Sequence, residues 1–348
     1  MNITSIHASA LAIAFKQSFN HASAARAAGQ SLWVQVRSDC GHVGYGEGCP
    51  REYVSGETVA GCLAFVAQYE AHWRQVISDI ASLRVWVDAH HELIDRHPSA
   101  WSAVELALLD LFAQGAGCSV EHALNSAELD GRFRYTAVLG DASPERFSTE
   151  LARYTKAGFC EFKVKLSGDL ARDRSKVLAL RKAGIAASAV RADANNLWAD
   201  AQRAIAHLLQ LDFAFRALEE PLGVGDYAGM ARIAAACSSA IIVDESVLRI
   251  DQLEALVSPT AWIINLRVSK MGGLLRSLRM VDEIRRAGLG LIIGAHVGET
   301  SVLTRAALTV ANASRDVLLA QEGAFGTHLL THDVLAVPVM FGAGGILD

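Results

Sequence analysis

From about residue 133 onward, short apolar runs alternate with longer stretches of helical period. RYTAVLG, CEFKVKL, SAVRADAN, FAFRALEEP, AIIVDES, WIINLRVSK, GLIIGAH and DVLLAQEG are eight strand candidates. Strands that alternate with helices imply parallel βαβ units, and eight in succession imply an α/β fold closed into a (β/α)8-type barrel. Polar or charged residues close these runs at Lys165, Asp193, Glu219, Asp244, Lys270, His296 and Glu322. The gaps between them are 28, 26, 25, 26, 26 and 26 residues. That period suits one strand, one helix and two short loops.

The first part of the chain has a different rhythm. SLWVQVRSDCGHVGYGEG alternates from Leu32 to Val36, turns at Asp39–Gly41 and returns to Gly48, which predicts a hairpin. Helical stretches follow around 56–79, 80–96 and 99–116. The last is apolar almost all round and should be buried. These patterns divide the chain into an N-terminal α+β domain (1–122), a barrel (123–330) and a tail (331–348) expected to return to the first domain.

Composition narrows the function by exclusion. The 348 residues carry a net charge of −5, which offers no global attraction to nucleic acid or an anionic membrane. No apolar run approaches the roughly 20 residues of a membrane span. The N-terminus lacks the basic start of a signal peptide. The six cysteines are scattered without CxxC spacing, which argues against a zinc site or disulfide framework and favours a cytoplasmic setting.

In a barrel the C-terminal ends of the strands converge on one mouth. Seven such ends bring two lysines, a histidine and four carboxylates around one cavity. Asp193, Glu219 and Asp244 fall on successive strands, and three hard oxygen ligands suit Mg2+ or Mn2+. Lys165 and Lys270 flank them from opposite sides. A cation between two lysines suits removal of a proton next to a carboxylate, because the ion stabilises the enediolate as it forms. A lysine acts as base only when neutral, and burial or a positive neighbour favours that form. Lys163, two residues from Lys165 on the same strand face, can be that neighbour and can contact the substrate carboxylate; alternatively it only pairs with a glutamate.

With these residues in place, the chain resembles the enolase superfamily, in the subgroup of muconate-lactonising enzymes, dipeptide epimerases and N-acylamino-acid racemases. KVK at 163–165, RADAN around Asp193, LEEP at Glu219, VDES at Asp244 and SKMGG at Lys270 match that subgroup's motifs in order. VGYGEG resembles a turn of its N-terminal capping domain. The resemblance implies Mg2+ on Asp193, Glu219 and Asp244, with Lys165 and Lys270 as the acid/base pair. It also implies supporting roles for Asn195, Glu220 and Glu245, a small carboxylate substrate and a homo-oligomer.

Where dipeptide epimerases carry an Asp-x-Asp pair after strand eight to hold the substrate ammonium, this chain reads QEGAFG. Its Glu322 is closer to the acidic residue of cycloisomerase-like members and can read a distal cation. His296 stands where the mandelate racemase branch has its base, but without the aspartate partner, and reads as a substrate contact or a strand-end polar group rather than a base. Loops at 19–29 and 49–56 should close over the mouth, with Arg26, Arg51 and Tyr53 as candidate contacts. The expected reaction is racemisation or epimerisation of an amino-acid derivative. Muconate-type cycloisomerisation and dehydration share the same intermediate and remain alternatives.

Overall fold

In the computed structural model, residues 1–21 and 24–348 are described, with side chains described for 1–16 and 27–348. The chain opens with a three-stranded antiparallel sheet of β1 (Ile3–His21), β2 (Ala24–Ser38) and β3 (Val43–Gly48). Helices α1 (Glu52–Ser55), α2 (Val59–Val76), α3 (Ile80–Ala89), α4 (His91–Arg96), α5 (Pro98–Ala116) and α6 (Val120–Ala123) pack behind it.

VGYGEG is a strand here rather than a turn, and its glycines have a packing reason. A Cβ on Gly44, Gly46 or Gly48 would lie 2.1, 2.0 or 1.9 Å from the carbonyl oxygens of Ala107, Ala103 and Ser99. Two strand residues advance about as far as four helical ones, so every second position of β3 meets every fourth of α5. Only glycine lets the backbones approach this closely. Covered on that side by β3, α5 buries fifteen of its 19 residues.

After β4 (Phe133–Arg134), the barrel strands are β5 (Ala137–Leu139), β6 (Phe162–Lys165), β7 (Val190–Asp193), β8 (Ala217–Glu219), β9 (Ala240–Val243), β10 (Trp262–Leu266), β11 (Gly290–Ile293) and β12 (Leu318–Gln321). They pair in parallel and in sequence order. Thr136 N–H donates to Gln321 O (2.8 Å), joining the two edges of the curled sheet. The connecting helices are α7 (Pro144–Lys156), α8 (Leu170–Lys182), α9 (Ala201–Leu211), α10 (Tyr227–Cys237), α11 (Val268–Met271), α12 (Leu274–Arg286) and α13 (Ser301–Ala313). Ala217, Ile242, Ile263, Ile292 and Ala320 form the apolar floor inside the sheet.

Buried carboxylates tie the N-terminal layer to the barrel. Glu47 of β3 accepts from Thr300 N and Thr300 Oγ1 at the start of α13. Glu105 of α5 accepts from Leu275 N at the start of α12. Both meet unpaired N–H groups at a positive helix end, the preferred place for an anion. The terminal segment divides its contacts. Thr331 N–H donates to Ala14 O of β1, whereas β13 (Ile346–Leu347) pairs with β4.

Candidate active site

Lys165, Asp193 and Glu219 end β6, β7 and β8 and stand in register across the ladder. In-register residues of parallel strands share a face, so the three side chains enter the barrel together. One level below, Lys163 and Arg191 are also paired and buried. Asp244 and Glu322 directly follow β9 and β12. Asn195, Asn196 and Glu220 hold left-handed backbone (φ 46°, 58° and 38°) where the chain leaves β7 and β8. Asparagine tolerates that region better than most residues, and the turn brings Asn195 Oδ1 to 2.6 Å from Lys165 Nζ.

Lys270 departs from the strand pattern. It lies on the short helix α11, and the polar residue of β10 at the site is Asn265, whose Nδ2 donates to Glu219 Oε1 (3.0 Å). Lys270 Nζ reaches back to Asn265 O (2.7 Å), Asp244 O (2.7 Å) and Asp244 Oδ1 (2.9 Å). Burial, followed by the charge of Arg267, pushes Lys270 down to about 7. Arg267 thus stands to Lys270 as the sequence suggested Lys163 would stand to Lys165.

Lys163 is held differently. Its ammonium lies 2.7 Å from Glu219 Oε2, 2.9 Å from Glu322 Oε2 and 3.2 Å from Asp193 Oδ2. Burial works to lower it, but Asp193, Glu219 and Glu322 prevail and hold it well above the ordinary lysine value. Lys165 Nζ donates to Asp193 Oδ2 at 3.0 Å. Glu322 has both oxygens on protein cations, Lys163 and Arg191 (2.9 Å each).

Among the described residues, no three acidic, histidine or cysteine side chains already stand at metal-binding separation. Protein cations lie between the carboxylates: Lys163 among Asp193, Glu219 and Glu322, and Lys270 and Arg267 on Asp244. The donor set nevertheless fits a hard divalent ion. Asp193, Glu219 and Asp244 come from three adjacent strands and are almost fully buried. Glu219 Oε2 has an ionic contact but no hydrogen bond. Burial raises Glu219 further than Lys163 lowers it, with Asp193 and Glu322 adding to the rise. A buried carboxylate that one ammonium neighbour does not fully stabilise gains from a further cation. Behind the three, Glu220 accepts from Asp244 N (2.7 Å) and Ser246 N (2.8 Å), fixing the end of β9. Burial lifts Glu220 to about 7, and burial with the charge of Glu220 does the same for Glu245.

Above the carboxylates is a cavity of about 1070 Å3 lined by Lys163, Lys165, Asp193, Asn195, Glu245, Arg267, His296 and Glu322, with Tyr53 at its rim. Aromatic residues Tyr154, Phe159, Phe325 and Phe341 form one wall. His296 is buried, with Nδ1 3.3 Å from Arg267 Nη1. Arg51 is not part of the lining. Its guanidinium is buried and donates to Gln30 O, Pro50 O and Val297 O, latching the first layer onto the loop after β11. The Arg26 side chain lies outside the described residues. Arg191, Asn265 and Arg267 were missed by sequence reasoning. Only the period-two parity of β7 and β10 would have pointed Arg191 and Asn265 inward.

The family model for enolase C-terminal domain-like proteins matches residues 146–347. A hydrophobic dipeptide epimerase of Enterococcus faecalis is 28% identical over 94% of this chain and 92% of its own. An N-succinyl-L-Arg/Lys racemase of Bacillus cereus is 24% identical, covering 89% and 84%. A chloromuconate cycloisomerase of Cupriavidus pinatubonensis is 27% identical, again covering 89% and 84%. The structure of a dipeptide epimerase from Enterococcus faecalis, complexed with Mg and L-Leu-L-Tyr, superposes with a TM-score of 0.86. It is 26% identical, covering all of this chain and 97% of that one.

Proposed function

The chain belongs to the enolase superfamily as an isomerase of its muconate-lactonising branch, and on that premise we propose a two-base racemase or epimerase of an N-acylated amino acid. The observation that carries this reading is the placement of Lys165 and Lys270. Lys165 ends β6 and lines the cavity, whereas Lys270 lies on α11, which follows β10, four strands round the ring of eight, and is buried beneath the lining; each is ion-paired to one of the central carboxylates. Lysines facing each other across a bound α-carbon can remove a proton from one face and return one to the other.

Asp193, Glu219 and Asp244 would hold Mg2+, which when bound supplies the positive charge that stabilises an enediolate. The chain's own residues do the rest. Lys270, near neutrality at physiological pH, takes or returns the proton on its side. Lys165, oriented by Asn195 and Asp193, serves the other side. Lys163 and Arg267 add fixed positive charge where negative charge develops.

Glu322 supports acylation of the amino nitrogen. With both oxygens on Lys163 and Arg191, it has no oxygen free of a protein cation to offer a substrate ammonium. The aromatic wall favours an apolar side chain. The test is an NMR screen in D2O with Mg2+, comparing N-succinyl and N-acetyl amino acids with free dipeptides. α-Deuterium exchange in the acylated set is the expected result; exchange confined to dipeptides would refute the substrate class. The same Glu322 arrangement suits a cycloisomerase, which would give net conversion of a muconate without exchange of both enantiomers of any amino-acid derivative.

A further inference from the structure

The catalytic end of β6 is gripped from outside the barrel by a buried charged network. Lys176 of α8, 2% exposed, donates to the backbone oxygen of Lys165 (2.7 Å) and to Asp173 Oδ1 (2.9 Å), and forms an ion pair with Asp141 Oδ1 (2.8 Å). An ammonium carries three protons, and three oxygens surround this one. Asp173, fully buried, also accepts from Ser167 N, Ser167 Oγ and Gly168 N, two and three residues beyond Lys165. His207 of α9 closes the network with Nε2 3.0 Å from Asp173 Oδ2. The His207 ring packs at 5.3 Å against Trp198, on the loop that carries Asn195.

Burying an ammonium and a carboxylate under a strand end gives little net stability, because desolvation offsets the attraction. An apolar pair would fill the same space. What the network adds is direction: four hydrogen bonds to backbone or side-chain groups of residues 165–168 hold the point where the Lys165 side chain leaves the strand. Lys270 is set by Asp244 O and Asn265 O from within the barrel.

We propose that Lys176, with Asp173 and His207 behind it, is a positioning residue that aims Lys165 and not Lys270. The inference rests on the two-base reading of the site, and its test separates the two. Lys176→Met retains length but removes the donors. Because it leaves the Asp173 charge stranded, the neutral pair Asp173→Asn/Lys176→Met is measured beside it, with Lys176→Arg as the conservative variant. The probes are L- and D-N-succinylphenylalanine with Mg2+ in D2O.

Exchange of the enantiomer served by Lys165, identified as the one lost in Lys165→Ala, should fall about 10- to 100-fold, as a misplacement near 1 Å implies. The other enantiomer should exchange as in wild type, and Lys176→Arg should recover much of the loss. Equal loss of both enantiomers, or of neither, overturns the proposal. A crystal structure of each variant supplies a readout independent of substrate. Lys165 Nζ should leave Asn195 Oδ1 while Lys270 stays on Asp244. A Lys165 superposable on wild type overturns the positioning role, even if the probe is not a substrate and the proposed function has failed. If neither neutralised variant folds, the network serves stability and the inference is wrong.

Discussion

Glu105 should make the join between the N-terminal layer and the barrel pH-sensitive. It is fully buried on α5, with Oε1 accepting from Leu275 N (2.9 Å) and Oε2 from Trp101 Nε1 (3.2 Å). Burial pushes it from an ordinary 4.5 up to about 7, against the pull of the α12 N–H groups and Trp101. Between those two values the folded protein retains a proton that the unfolded chain has lost. Stability from this site is therefore full below pH 4.5 and declines as pH rises toward 7. The slope is about 1.4 kcal/mol per pH unit, or about 3 kcal/mol in all. At roughly 2 cal/mol/K of unfolding entropy per residue, a chain of this length loses about 4 °C in Tm.

Glu105→Gln cannot titrate. It retains an acceptor for Leu275 N–H but not for both donors, a cost of about 1 kcal/mol that is the same at every pH. The assay is thermal unfolding of both proteins at pH 5 and pH 8. Subtracting one from the other cancels every other titrating group. The variant should gain about 4 °C on wild type between the two pH values. Parallel curves would show that Glu105 stays ionised in the folded protein and that the start of α12 fully stabilises its charge. A gap closing in the opposite direction would mean that the helix end outweighs burial.

Lys165→Ala and Lys270→Ala should each abolish deuterium exchange from one enantiomer only, and a single variant that still racemises would refute the two-base reading. In Lys165→Ala, exchange through Lys270 should rise with pH to a plateau above about 7, because only the neutral amine accepts a proton; a flat profile would refute its role as base. Asp193→Asn should remove Mg2+ binding measured by calorimetry while circular dichroism stays native, and full wild-type activity after exhaustive chelation would refute the metal assignment. Glu322→Gln takes from Arg191 its closest carboxylate and from Lys163 one of three, so it should lower stability by about 3 kcal/mol and impair neutral and cationic substrates alike; impairment confined to cationic ones would restore it as a cation reader. Gly46→Ala places a Cβ 2.0 Å from Ala103 O, which should cost about 1–3 kcal/mol by overpacking, read as a fall in Tm.

The sequence by itself determined the repeating strand–helix unit and the residues that close most of its strands. Strand periodicity is strict, so a pair such as Lys163 and Lys165 must share a face, and both do point inward. The even spacing of Asp193, Glu219 and Asp244 likewise placed them at the ends of neighbouring strands, Asp244 just beyond β9. Tertiary structure decided what each charge meets. Lys163 faces three carboxylates from three other strands, and Lys270 gains its positive neighbour from Arg267. Arg51, on a loop that should close over the mouth, is instead buried among backbone carbonyls. Local pattern encodes the direction of a side chain because backbone geometry repeats every two or 3.6 residues. The partners are set by the closure of the sheet, which brings Lys163 and Glu322 to 2.9 Å across 159 residues of chain, and no local period carries that distance.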